Sequence, residues 1–314
     1  METAVLGFIG SKNIGDYIQT KAVIDIVDSK KTRILDRENL DKYNDDKIKT
    51  IINGWFMESP NNWPPSNKII PLFISFHINP SAQSRLLKKD SLEYFKKHQP
   101  IGCRDYYTRD ILLENGINAY YSSCVTTSFD RNKYLKKNTK PKGIIVIGAF
   151  DRLNPLINTK TFSQLFISTL KYPLKKIVYN LKSSKFNKHL NNQKTIIQRH
   201  SQIIKSPIVS HDKGLKLAEE MLTKIAHSEI LITSRIHAAL PALAMGLKVV
   251  FIDEGLEHDN HKQRLSGLRN YFTCINLKEF FMINLDNLLK AKADRNQIKK
   301  IKLTINKFLN QWTF

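Results

Sequence analysis

Apolar residues in this chain fall in short runs separated by segments of helical periodicity. The first run, residues 4–9, contains Gly7, is followed by Gly10 and does not alternate with polar residues, which predicts a buried parallel strand. A loop, residues 11–16, then leads into a helical segment over 17–27. The same reading predicts strands at 50–53, 69–76, 100–103 and 119–122, with a helix over 107–115 closed by Gly116. Beyond residue 143 the alternation resumes, with strands expected at 144–147, 176–180, 208–210, 230–233 and 249–252. Helices are expected over 213–226 and 236–245. Residues 278–309 have helical periodicity, with Leu285, Leu288, Leu289, Ile298, Ile301 and Phe308 on one face.

Strands alternating with helices mean βαβ units and parallel sheets. The polar, basic stretch 131–143 interrupts the alternation and reads as a linker. The expectation is therefore an α/β protein of two Rossmann-like domains with a cleft between them. Residues 1–135 would form the N-terminal, acceptor-side domain and 136–277 the C-terminal, donor-side domain. A basic helical segment, 278–314, would follow. In such sheets ligands gather at the carboxyl ends of strands, so polar residues in strand-to-helix loops carry the most weight.

Charge changes the picture next. Fifty Lys and Arg against 28 Asp and Glu give a formal net charge of +22 over 314 residues, which favours anionic partners. Between Arg131 and His211 the only acidic residue is Asp151. Either lysines decorate solvated faces or they form a docking surface for anions. Nucleic acid is the weaker partner, because zinc-finger spacing, an RNA-binding aromatic motif and a basic zipper region are all missing. Cys103, Cys124 and Cys274 are odd in number and widely spaced, which fits a reducing compartment and suggests neither a disulfide framework nor a structural zinc site. The N-terminus does not read as a signal peptide, and no apolar stretch is long enough to span a bilayer. A cytoplasmic protein is expected, with any membrane contact peripheral and at the inner face.

Three loops can carry chemistry. Thr233-Ser234-Arg235-Ile236-His237 follows a strand and opens a helix, whose free N–H groups favour a phosphate or carboxylate. Arg235 adds a planar fork for such groups, and His237 a general acid or base. Alternatively Ser234 caps the helix while Arg235 and His237 pack. In Gly102-Cys103-Arg104-Asp105, Arg104 either faces the cleft from the other domain or pairs with Asp105, itself a helix cap. In Lys12-Asn13-Ile14-Gly15-Asp16, Gly15 permits close backbone approach, and Asp16 either accepts a proton from a sugar hydroxyl or caps a helix. Softer candidates lie on the acceptor side: Asn53 and Trp55 as a sugar platform, His77 at a strand end, and His258 with His261, whose spacing fits no metal template.

The strings Asn13-Ile14-Gly15-Asp16-Tyr17-Ile18-Gln19, Pro100-Ile101-Gly102-Cys103-Arg104-Asp105 with Thr108, Thr233-Ser234-Arg235-Ile236-His237-Ala238 and Arg264-Leu265-Ser266-Gly267-Leu268 together resemble the polysaccharide pyruvyl transferase family. The Ser-Arg-x-His block is the most specific of them. The resemblance implies a GT-B-like fold and phosphoenolpyruvate as co-substrate, with no metal or redox cofactor. The product would be a pyruvate ketal on two hydroxyls of a sugar, the acceptor being a surface polysaccharide or a lipid-linked oligosaccharide. It implies His237 as general acid, and Arg104 and Arg235 holding the two anionic ends of the donor. Two other readings stand beside it. One is a GT-B glycosyltransferase with a nucleotide-sugar donor, using His237 or Asp16 as base. The other is a non-catalytic binder of anionic glycans or membrane surfaces.

Overall fold

A computed structural model describes residues 1–28, 32–55, 59–155, 162–256, 262–288, 290 and 293–311. Its frame is two parallel sheets. The first has six strands in the order β2-β1-β3-β4-β5-β6, namely β1 (Thr3–Gly7), β2 (Arg33–Asp36), β3 (Ile48–Trp55), β4 (Ile69–His77), β5 (Ile101–Cys103) and β6 (Ala119–Tyr121). The second has five in the order β11-β10-β9-β7-β8, namely β7 (Ile144–Ile147), β8 (Ile197–His200), β9 (Ile230–Thr233), β10 (Lys248–Ile252) and β11 (Thr273–Ile275). The helices are α1 (Ile14–Val27), α2 (Gln83–Leu86), α3 (Lys89–Lys97), α4 (Tyr106–Glu114), α5 (Phe162–Asn191), α6 (His211–Ala226), α7 (Ile236–Ala244), α8 (Leu277–Phe280) and α9 (Arg295–Asn310). The fold is of the expected α/β class, with two Rossmann-like parallel sheets.

Two predicted strands are corrected. Residues 176–180 lie inside α5, where the β-branched run Ile177-Val178 imitates a strand. Residues 208–210 are an extended loop ending at Ser210, the N-cap of α6. Ile208 does make strand-like bonds, donating to the Ser11 carbonyl at 2.9 Å and accepting from Gly10 N at 2.8 Å, but its partner is the first domain's loop rather than a sheet. The strands the pattern missed are β2, β11 and β8, all at sheet edges, and β8 is the clearest case. It sits at the sheet edge paired with β7, and its sequence Ile-Gln-Arg-His offers no apolar run. Helix α1 also begins earlier than expected, because Asn13 caps it by accepting from Gly15 N at 3.0 Å.

One core cluster runs through both sheets, and a second lies on the other side of the five-stranded sheet. Helix α1 packs against α6 and α7 of the second domain, burying Ile14, Tyr17, Ile18, Ala22 and Val23. The contact is close: a Cβ on Gly214 of α6 would lie 2.5 Å from the Tyr17 ring. The Tyr17 hydroxyl meets His211 Nδ1 at 2.9 Å, and burial pushes the phenol up to about 12. In an ordinary helix Gly→Ala gains about 1 kcal/mol. At this position Gly214→Ala is expected to lose about 1–3 kcal/mol through overpacking, as urea unfolding would show; a stabilised variant would refute the packing argument.

The chain then returns to the first domain. Ile301 and Ile305 of α9 are buried, and the helix packs on α1 and β4. Its C-terminal carbonyls are capped from inside: the Lys49 ammonium donates to Phe308 O at 2.8 Å, Leu309 O at 3.1 Å and Gln311 O. Part of the basic excess is structural in the same way. Arg131, at the start of the predicted linker, donates to Ala226 O at 2.8 Å, Met245 O at 3.3 Å and Ser228 O, so one guanidinium closes the C-terminal ends of α6 and α7.

Candidate active site

The polar groups of interest gather at the carboxyl ends of both sheets. In the second domain β9 ends at Thr233, whose hydroxyl donates to Ile147 O at 2.6 Å and accepts from Arg235 N at 2.9 Å. The Ser234 hydroxyl donates to Gly148 O at 2.7 Å, so it ties β9 to β7 and does not cap the helix. Arg235 occupies the N-cap position of α7, and its side chain makes no capping hydrogen bond. One turn of α7 then carries His237, 4% exposed. The N-terminus of this nine-residue helix thus lies at the loop after β9, with no capping bond from the Arg235 side chain.

The loop after β7 completes this lobe. Gly148 turns with φ +55, and a Cβ there would stand 2.5 Å from Asp151 Oδ2 and 3.1 Å from Arg235 Cγ. The turn delivers Asp151 to Arg235, whose Nη2 and Nε donate to Oδ2 at 2.9 and 3.3 Å. Arg152 follows, its Nε 3.4 Å from Ser234 O. Burial, and then the Arg235 charge, push the Arg152 guanidinium down to about 10, with Asp151 opposing. Among the described residues of this lobe two guanidiniums face one carboxylate beside a helix N-terminus. Asp151 and Arg152 were missed as site residues. The signal was present, because the lone acid of a basic stretch sits in a strand-to-helix loop.

In the first domain Asn53, Trp55, His77 and Arg104 collect at the ends of β3, β4 and β5. The Trp55 and His77 rings stack at 6.4 Å and 28°. Asp105 organises the group from a fully buried position. Its Oδ2 meets His77 Nδ1 at 2.7 Å and Arg104 Nη2 at 3.4 Å, while Oδ1 accepts from Thr108 N at 3.0 Å and Thr108 Oγ1 at 2.8 Å. Burial disfavours this carboxylate, but the His77 and Arg104 charges and the bonds to His77 and Thr108 outweigh it and hold Asp105 below its ordinary range.

Arg104 is 1% exposed, so it lies beneath the cleft wall, in contact with Asp105. Its Nε and Nη2 lack hydrogen-bond partners among the described residues, as do both amide atoms of buried Asn53 and of buried Gln19 on α1. Buried polar groups in folded proteins are nearly always satisfied, so a cluster of such donors and acceptors marks a place suited to a polar ligand.

The two lobes meet across the 3-10 turn Val125–Ser128, which packs on both α1 and α7. The Arg104 charge is felt at buried Cys124, next to that turn, where it opposes the burial that pushes the thiol up. On the far side Ser266 O accepts from Tyr106 N at 3.4 Å, and a Cβ on Gly267 would lie 3.0 Å from the Tyr106 ring, so this element closes onto the residue after Asp105.

Gly15 and Asp16 are placed differently from expectation. Both belong to the first turn of α1. A Cβ on Gly15 would stand 2.9 Å from the Gln202 amide of the second domain, so the close approach there is made by protein. The Asp16 carboxylate accepts from Ser11 Oγ at 2.6 Å and Asn13 Nδ2 at 3.2 Å within its own loop. His258 and His261 lie outside the described residues.

Comparison with known proteins decides the family. The model for polysaccharide pyruvyl transferase matches residues 13–255. The chain belongs to that family. The match takes in the Asn13 cap, the Arg104-Asp105 loop and the Ser234–His237 block. A search of curated proteins returned no match. Among solved structures, a functionally uncharacterized protein from Klebsiella pneumoniae is 13% identical, with a TM-score of 0.51 over 88% of this chain and 92% of that one, a likeness of fold. A UDP-GlcNAc 2-epimerase from Methanocaldococcus jannaschii, in complex with UDP-GlcNAc and UDP, is 8% identical at a TM-score of 0.37, covering 98% of this chain and 100% of that one. As a polysaccharide pyruvyl transferase family member the protein is a transferase. No helix among its described residues is long and apolar enough to cross a membrane.

Proposed function

We propose that the protein transfers the pyruvyl group of phosphoenolpyruvate onto two hydroxyls of a sugar, in a surface polysaccharide or its lipid-linked precursor, leaving a ketal and free phosphate. The observation that carries this reading is the cationic lobe in which Arg235 and Arg152 flank the α7 N-terminus with His237 in its first turn. Phosphoenolpyruvate carries two anionic groups and an alkene carbon that must gain a proton. Arg235, Arg152 and the helix N-terminus hold one anionic group, and Arg104 draws the other toward the first domain.

His237 protonates C3, which makes C2 electrophilic. One sugar hydroxyl attacks C2 and gives up its proton; the C2–O bond to phosphate then breaks, and the second hydroxyl closes the ketal and loses its own. One proton is consumed at C3 and two are released from the hydroxyls; one of these restores His237 and the other leaves on the phosphate, which departs as hydrogen phosphate with no change of oxidation state. On the acceptor side the half-buried Trp55 ring offers a platform for the sugar face, with the fully buried Asn53 and His77 behind it.

Thermal unfolding with added ligand tests the donor. A ligand at about 100 times its Kd stabilises the folded state by about 2.7 kcal/mol. Phosphoenolpyruvate is expected to raise the Tm of the wild type and to leave Arg235→Ala unmoved. Stabilisation by nucleotide sugars, with none from phosphoenolpyruvate, would replace this reading with a glycosyltransferase in the same cleft.

A further inference from the structure

Helix α5 carries its apolar residues on the wrong side for a globular core. Tyr172, Lys176, Tyr179, Ser183, Phe186 and Leu190 recur at three- and four-residue spacing and form the less exposed stripe, turned toward the protein. The opposite stripe is Phe166, Leu170, Leu174, Ile177 and Leu181, again at i+4 and i+3. These side chains are 56–71% exposed: Phe166 61%, Leu170 64%, Leu174 71%, Ile177 56% and Leu181 67%. A continuous apolar stripe of this length on a free surface marks an interaction site.

We propose that this outward face of α5 docks on an anionic lipid bilayer, with the helix lying in the interface plane. Charge selects this occupant. Lys171 and Lys175 line one edge of the stripe and Lys188 continues the helix, while Lys182 on the same edge pairs with Glu254 and Lys185 lies over the Phe281 ring; residues 152–211 contain no acid at all. Lysine-flanked apolar stripes suit an anionic headgroup layer, where the ammonium groups stay wet and the apolar side chains enter the acyl boundary. The centre of a protein–protein interface, by contrast, is depleted in lysine. A second copy of the helix would also set like charges against each other. The helix is not apolar enough to span, which agrees with a docking role.

The geometry connects this face to the anion lobe. A pocket of about 590 Å³ opens between α5 and the loop after β7, lined by Arg152, Leu153, Leu174, Val178 and Lys182 among others. Leu174 and Val178 belong to the apolar side of α5, and Arg152 is the guanidinium beside Arg235. A bilayer under α5 therefore lies next to the strand ends where the polar groups converge. The docking is independent of the chemistry proposed above, since its readout is binding.

Full-length protein mixed with phosphatidylglycerol-containing vesicles, and separately with pure phosphatidylcholine vesicles, tests it by co-sedimentation at low and high salt. The wild type is expected to partition into the anionic vesicles, and less so as salt rises. Joint substitution Leu170→Gln, Leu174→Gln and Leu181→Gln, and separately Lys171→Gln with Lys175→Gln, should each weaken partitioning roughly tenfold or more. Tm should stay unchanged, because all these side chains are exposed. Failure of the wild type to bind anionic vesicles, equal binding to both lipids, or full binding by the leucine variant would overturn the proposal. So would a wild-type dimer, seen by light scattering, that the leucine variant dissociates.

Discussion

His237→Gln is expected to lower kcat by about 10²–10⁴-fold while leaving stabilisation by phosphoenolpyruvate nearly intact. The argument is positional. His237 lies in the first turn of α7, 4% exposed, two residues beyond the arginine that pairs with Asp151. Binding of the two anionic groups falls to the guanidiniums and the helix N-terminus, which this substitution does not touch. Proton delivery to C3 is lost with the imidazole, because an amide cannot supply a proton. Phosphate release with whichever sugar acceptor from a panel supports turnover reads the first quantity, and the thermal shift with phosphoenolpyruvate reads the second. Unchanged turnover would remove His237 as general acid. Loss of the thermal shift together with turnover would make it a ligand-holding group instead.

Asp105→Ala should destabilise the protein by about 3–5 kcal/mol, the range for removing one partner of a buried charged network. The fully buried carboxylate answers His77, Arg104 and Thr108 and caps α4. Without it the Arg104 guanidinium remains buried with no opposing charge in contact. Urea unfolding at neutral pH measures the loss; a cost below about 1 kcal/mol would show that the network relaxes freely. The pH dependence follows from the depressed pKa. An unfolded Asp titrates near 3.9, so the stability from Asp105 is fully present above about pH 4 and is lost as pH falls through its lower folded value. Asp105→Asn should flatten that acid limb.

Much of the fold was legible because its strands are buried in parallel sheets, where each reads as an unbroken apolar run. Residues 144–147 and 230–233 coincide with β7 and β9 for that reason. Legibility failed where burial is decided by distant chain. The edge strand β8 is polar, and residues 176–180 look strand-like until the exposure of α5 shows which face turns outward. In the site, the Ser234–His237 block stood out because strand, polar loop and helix follow one another locally. Asp151 and Arg152 did not, since their meaning depends on Arg235 lying 84 positions away along the chain.

Sequence alone determined that this is a parallel α/β protein with an Arg-and-His loop at a helix start, because local periodicity and turn chemistry operate over a few residues. Only the tertiary structure decided how charge is spent. It set Asp151 against Arg235, placed Lys49 and Arg131 at helix ends, and buried Arg104 beside Asp105. It also turned the apolar stripe of α5 toward solvent. Electrostatic partnership and exposure depend on distances in space, and those exist only once the two sheets have packed together.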